Sequence, residues 1–184
     1  MIRLFRLLLV LSGVLAFSSC SDDAEQPYAH IRAFFRFTPV TAAQPLYAAL
    51  SSPGEYCTIT IQPHTFTFTD RAGRAVQANR TALDAYGQPE CISGFIVGTP
   101  STPDMNMRFQ PLAYDLACPA CYEYHLKSIT LRFDPKQQNA VVCPRCHRVY
   151  DLSLQGAVIA GEPGPRMYWY RWVRYANNTV IIQN

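Results

Sequence analysis

Two closely spaced cysteine pairs carry the clearest chemistry in this chain. Cys118-Pro119-Ala120-Cys121 and Cys143-Pro144-Arg145-Cys146 each hold two thiols three positions apart, and 21 residues separate the pairs. A CxxC turn brings two sulfurs within reach of one ion, and a second such turn completes a tetrahedron with metal–sulfur bonds of about 2.3 Å for zinc. The doubled pattern is specific, whereas either pair alone would be weak. Two other outcomes compete with metal: a disulfide within each pair, or long-range bridges between pairs. A thioredoxin-like pair fits less well, because that chemistry places CxxC at a helix N-terminus inside a βαβ unit, and neither is suggested by the surrounding residues.

The elements needed to position these thiols read as strands. Tyr56–Ile61 and Thr65–Thr69 alternate apolar with β-branched polar residues, the period of half-buried strands. Turns are marked by Ser52-Pro53-Gly54 and Asp70-Arg71-Ala72-Gly73. Further strands are expected over 92–97, 112–116, 128–133, 140–142, 157–159, 168–175 and 179–182. The segment from Ser128 to Val142 predicts strand, turn at Asp134-Pro135, strand, a hairpin whose two ends would bring the cysteine pairs together. Helical content is weak: Val40 to Leu50, broken by Pro45, and Thr81 to Tyr86. Many short strands and 14 prolines predict a mostly β chain, an antiparallel sandwich or barrel.

Around the second cysteine pair, Val142-Cys143-Pro144-Arg145-Cys146-His147-Arg148-Val149-Tyr150-Asp151-Leu152, followed by Gly156, Gly161-Glu162-Pro163 and Tyr175, resembles the second half of Rieske-type iron–sulfur domains. Ala113-Tyr114-Asp115-Leu116-Ala117-Cys118-Pro119 resembles the approach to their first knuckle. The similarity runs from about Phe95 to the C-terminus. It implies a Rieske-like β domain over 28–184, with residues 112–165 as a small metal-binding subdomain.

Departures from that pattern bear on the cofactor. A Rieske centre takes two thiolates on one iron and two imidazoles on the other. Ala120 and Cys146 stand where those histidines would be. The remaining donors are Cys118, Cys121, Cys143 and Cys146, an all-thiolate set that suits Zn²⁺, a single rubredoxin-type iron or a low-potential [2Fe–2S] cluster. Zinc is the favoured occupant, implying a structural clamp and a non-catalytic accessory role; iron would imply an electron-transfer protein with a redox partner. His125 and His147 flank the pairs and are expected to stay outside the ligand set, while His30 and His64 have no chemical neighbours in sequence.

The N-terminus carries a different signal. Arg3 and Arg6 precede the apolar stretch Leu7–Phe17, about eleven residues and too short to span a bilayer. It reads as a secretory signal over 1–19. Ser18-Ser19-Cys20 resembles the lipobox of bacterial lipoproteins, which implies acylation of Cys20 and a tether over 20–27. Ser21-Asp22-Asp23 resembles the acidic export tag of surface lipoproteins of Bacteroidota, implying an outer-membrane, outward-facing location held through the lipid.

Without the first nineteen residues the chain carries 14 Lys and Arg against 13 Asp and Glu, so it lacks the basic footprint of a nucleic-acid binder. No Ser-His-Asp order, paired-carboxylate constellation or phosphate loop stands out. Cys57 and Cys91 lie outside the two pairs, and an exported location permits a disulfide between them. The aromatic run Met167–Tyr175 is expected to be one strand, one face filling the core.

Overall fold

Residues 28–82, 84 and 87–184 are described by the computed structural model. The expected signal segment, Cys20 and its tether lie outside these residues, as does part of the weak helix expected over 81–86. The first half of the chain forms β1 (Phe34–Phe37), a 3₁₀ turn (Val40–Ala42), α1 (Gln44–Ser51), β2 (Tyr56–Ile61), β3 (Thr65–Asp70), β4 (Ala75–Asn79) and β5 (Phe95–Gly98). The second half forms β6 (Leu112–Asp115), α2 (Pro119–His125), β7 (Arg132–Phe133), β8 (Ala140–Val142), β9 (Val149–Asp151), β10 (Ala157–Ala160), β11 (Trp169–Tyr170), β12 (Trp172–Ala176) and β13 (Thr179–Gln183).

The strands assemble into three antiparallel sheets ordered β11-β6-β5-β2-β3-β4, β1-β13-β12 and β10-β9-β8-β7. The six-stranded sheet is the common wall. Period-two alternation sends Phe95, Val97, Ala113 and Tyr170 to one face and Ile96, Tyr114 and Trp169 to the other. On the first face, Phe66 and Phe68 from β3 meet Phe35 and Phe37 from β1, Val180 and Ile182 from β13, and Leu46, Ala49 and Leu50 from α1. The rings of Phe35 and Phe66 meet edge-on with centroids 5.3 Å apart. On the second face lie Val141, Tyr150, Leu152, Met167 and the buried cysteines.

Two local readings are corrected. Pro45 does not break a helix; it sits in the first turn of α1, where its missing N–H has no intrahelical partner to lose. The aromatic run is not one strand. β11 pairs with β6 and β12 pairs with β13, so the chain leaves one sheet for another at Arg171. Tyr170 is accordingly fully buried while Trp172 is 57% exposed, although both fall on the same phase of the alternation.

Gly94 permits the close packing of β5 against β2. Its φ is +136°, and a Cβ there would lie 2.3 Å from the Ile59 carbonyl oxygen.

Candidate metal centre

The segment that leaves β6 is turned by a buried carboxylate. Asp115 accepts hydrogen bonds from the N–H groups of Ala117 (2.7 Å) and Ile92 (2.8 Å) and from the Tyr170 hydroxyl (2.6 Å). Burial pushes this carboxyl up, and those donors pull in the opposite direction. The turn delivers Cys118 to the N-cap of α2, with Pro119 in its first turn and Cys121 inside the helix. The first CxxC therefore does stand at a helix N-terminus, contrary to the sequence reading. The thioredoxin comparison still fails, because every pairing between named strands is antiparallel. Leu126, at φ 52°, closes the helix after seven residues.

The expected hairpin is present and brings the second pair to the first. Leu131 N–H donates to the Leu116 carbonyl (2.9 Å) and Cys118 N–H to that of Ile129 (2.7 Å), so this segment lies against the approach to Cys118. β7 then pairs with β8, Arg132 opposite Val142, and Cys143 follows directly. Cys143 N–H donates to the Arg148 carbonyl and His147 N–H to that of Cys143, both at 3.0 Å. His147 adopts φ 59°, the left-handed conformation that closes the second turn.

All four Sγ atoms lie within 4.8 Å of one another. The two short contacts each join one pair to the other: Cys118 to Cys146 at 3.6 Å and Cys121 to Cys143 at 3.7 Å. A tetrahedron with metal–sulfur bonds near 2.3 Å has edges of about 3.8 Å. A disulfide requires about 2.05 Å, and all four are free thiols. Neither arrangement of bridges considered from sequence is formed. Cys118, Cys121 and Cys143 are buried and Cys146 is half-buried. His125 and His147 are exposed, and no histidine joins the cluster among the described residues.

Two neighbours act on the sulfurs. The Tyr150 hydroxyl lies 3.4 Å from Cys118 Sγ. Burial pushes the Cys118 thiol up to about 11 while this hydroxyl pulls it down, and burial pushes Cys121 up further. Burial would also raise Cys146, but hydrogen bonds from the Arg148 backbone N–H and guanidinium, together with the Cys143 and Cys118 thiols, outweigh it and bring Cys146 down to about 7. The Arg148 side chain is only 8% exposed. It is gripped by the Glu162 carbonyl (2.9 Å from Nε) and the Glu162 carboxylate (3.0 Å from Nη2), and the Tyr124 ring lies 6.0 Å from Cζ. Glu162 itself is 86% exposed, a poor partner for a buried cation. Cys146, brought down to about 7 beside Arg148, is the group that can supply compensating charge when ionised. Gly164 wraps this guanidinium closely, since a Cβ there would lie 3.0 Å from Nε.

Arg148 and Tyr150 were not singled out as site residues from sequence. Sequence spacing does not reveal them, because the left-handed turn at His147 interrupts strand alternation between Cys146 and β9.

The disulfide expected between Cys57 and Cys91 is not formed, and both are free thiols. Cys57, on β2, faces Thr69 and Asp70 of β3, whereas Cys91 faces Gly94 and Asp115 near the junction of β5 and β6. Cys57 belongs to the first core and Cys91 packs against it.

Comparison with family models, with curated proteins and with solved structures finds no match to the chain.

Proposed function

We propose that this chain is a metal-binding, Rieske-like envelope lipoprotein domain, in which Cys118, Cys121, Cys143 and Cys146 hold one structural zinc ion and the role is accessory rather than catalytic. The observation that carries the reading is the sulfur geometry: four thiols within 4.8 Å, with the short contacts at 3.6 and 3.7 Å. These separations suit a single tetrahedral ion. A two-iron cluster would divide the four sulfurs between two irons and hold the two sets further apart. When bound, zinc supplies folding free energy by joining the start of α2 to the β8–β9 turn. Arg148 lowers the net negative charge of a four-thiolate site, and Tyr150 holds a sulfur through its hydroxyl.

The lipoprotein part of the reading is supported by the sequence around Cys20 and by the short apolar segment before it. Among the described residues no helix is long and apolar enough to cross a membrane. In this reading the Cys20 acyl chains provide the attachment.

Elemental analysis of protein purified without air tests the proposal. It expects about one zinc per chain and no visible absorption. One iron, with charge-transfer colour and reversible reduction, would replace the clamp with an electron carrier. A metal-free folded chain would remove the metal function altogether.

A further inference from the structure

The outer face of the three-stranded sheet is cationic and aromatic, and the metal site makes no use of it. On its inner side Phe35, Phe37, Val180 and Ile182 fill the first core. On its outer side, strand register places Arg36, Ile181 and Arg174 in one row and Phe34, Gln183 and Trp172 in the next. Arg36, Arg174 and Trp172 are exposed. Arg171 adds a third cation, its Cζ 5.4 Å from the Trp172 ring and 5.8 Å from that of Tyr28.

Among the described residues acidic groups nearby are few, while Asp22, Asp23 and Glu25 belong to the tether outside them. Arg32 pairs loosely with Glu90 at 3.9 Å. Asp84 lines the same hollow as Arg36, but its carboxylate accepts hydrogen bonds from the N–H and hydroxyl of Thr81. Among the described residues, Arg36, Arg171 and Arg174 have no acidic group within 4.0 Å.

Tyr28, where the described chain begins, lies at the edge of this patch, with its ring 4.8 Å from Trp169 and beneath Arg171. Eight positions of sequence separate it from Cys20, a reach of at most about 28 Å even when fully extended. An acyl chain on Cys20 would therefore keep the edge of this patch at Tyr28 within that reach of the bilayer. Tryptophan and tyrosine are the side chains that favour the headgroup region, and arginines there meet phosphate oxygens. We infer that the face bearing Arg36, Arg171, Trp172 and Arg174 docks on the anionic phosphate layer of the membrane to which the chain is tethered. The inference rests on the lipoprotein reading of Cys20.

Intact mass of the processed protein reports acylation by itself and so tests that reading separately. The docking test places the isolated protein on phosphatidylcholine vesicles carrying a brominated-acyl quencher, with or without phosphatidylglycerol. Trp172 emission should be quenched only with phosphatidylglycerol and recover at ~1 M salt, where the Debye length falls to about 3 Å. The Trp172→Phe variant should lose that response, which separates Trp172 from Trp169. The triple variant R36Q/R171Q/R174Q should lower the docked-to-free ratio on the order of a hundredfold, at about fivefold per arginine. Emission indifferent to phosphatidylglycerol, or unchanged in the triple variant, overturns the inference. If the mass shows no acyl chain, the anchor reading fails, and the same quenching with added vesicles still decides whether the face binds lipid.

Discussion

Tyr150 directs its hydroxyl at Cys118 Sγ from 3.4 Å, linking the strand after the second cysteine pair to the first thiol of the first pair. Neighbouring hydrogen bonds of this kind fix ligand orientation and are commonly worth ten- to a hundredfold in metal affinity. Tyr150→Phe keeps the buried ring and deletes only the donor. It should weaken zinc binding about tenfold in a competition titration against a chromophoric chelator, with little change in the circular dichroism of the loaded protein.

Metal removal should act on one core and spare the other. The thiols belong to the second core, whereas Phe35, Phe66 and Phe68 pack on the opposite face of the six-stranded sheet. Hydrogen exchange after chelation should show lost protection across α2 and β7–β9, with β2 and β3 remaining slow. Uniform loss through β3 would mean that the two cores are one cooperative unit.

Affinity should climb steeply with pH. Cys118, at about 11, and Cys121, pushed higher still by burial, are protonated near neutrality and must release protons to bind. These two protons alone make affinity change about a hundredfold per pH unit. Below about 7 Cys146 adds a further one. In the metal-free protein the lowered Cys146 value contributes stability that is present above its ordinary value near 9 and lost as pH falls through about 7. Cys146, half-buried and most readily ionised, should be the first site alkylated by iodoacetamide once zinc is removed, as read by peptide mass.

Arg148 separates charge from packing. Arg148→Met keeps much of the side-chain volume against Gly164 and Glu162 but removes the cation, and it should weaken zinc binding by at least tenfold; Arg148→Lys should recover part of the loss. Equal affinity in the methionine variant would reduce Arg148 to a packing role.

A contrasting variant lies across the wall. Phe66→Ala removes a buried ring that meets Phe35 at 5.3 Å and Phe37 at 6.2 Å. It should cost about 3–5 kcal/mol in denaturant unfolding while leaving zinc stoichiometry at one.

The cysteine quartet could be read from sequence because ligand spacing is a local property, and the hairpin joining the pairs could be read because Asp134-Pro135 is a local turn signal. β2 and β3 were equally plain, since threonine alternates there with isoleucine or phenylalanine. Other features depended on distant partners. α2 is seven residues long and opens with a proline inside a cysteine pair, a pattern indistinguishable from a turn until Ala120 and Cys121 have a core to enter. The break at Arg171 was hidden for the same reason. Nothing in Tyr170-Arg171-Trp172 says that β6 claims one side and β13 the other. Arg148 is buried only because Glu162 and Gly164, fourteen and sixteen residues on, fold over it.

Because β5 and β6 send alternate side chains into separate interiors, a shift of one position in their pairing with neighbours would not merely expose a few apolar groups. It would aim Phe95 and Val97 at the sulfur side and Ile96 at the phenylalanines, inverting both halves of the molecule in a single error. Such a misalignment is therefore penalised twice, and this short ribbon ties the alignment of one half to that of the other.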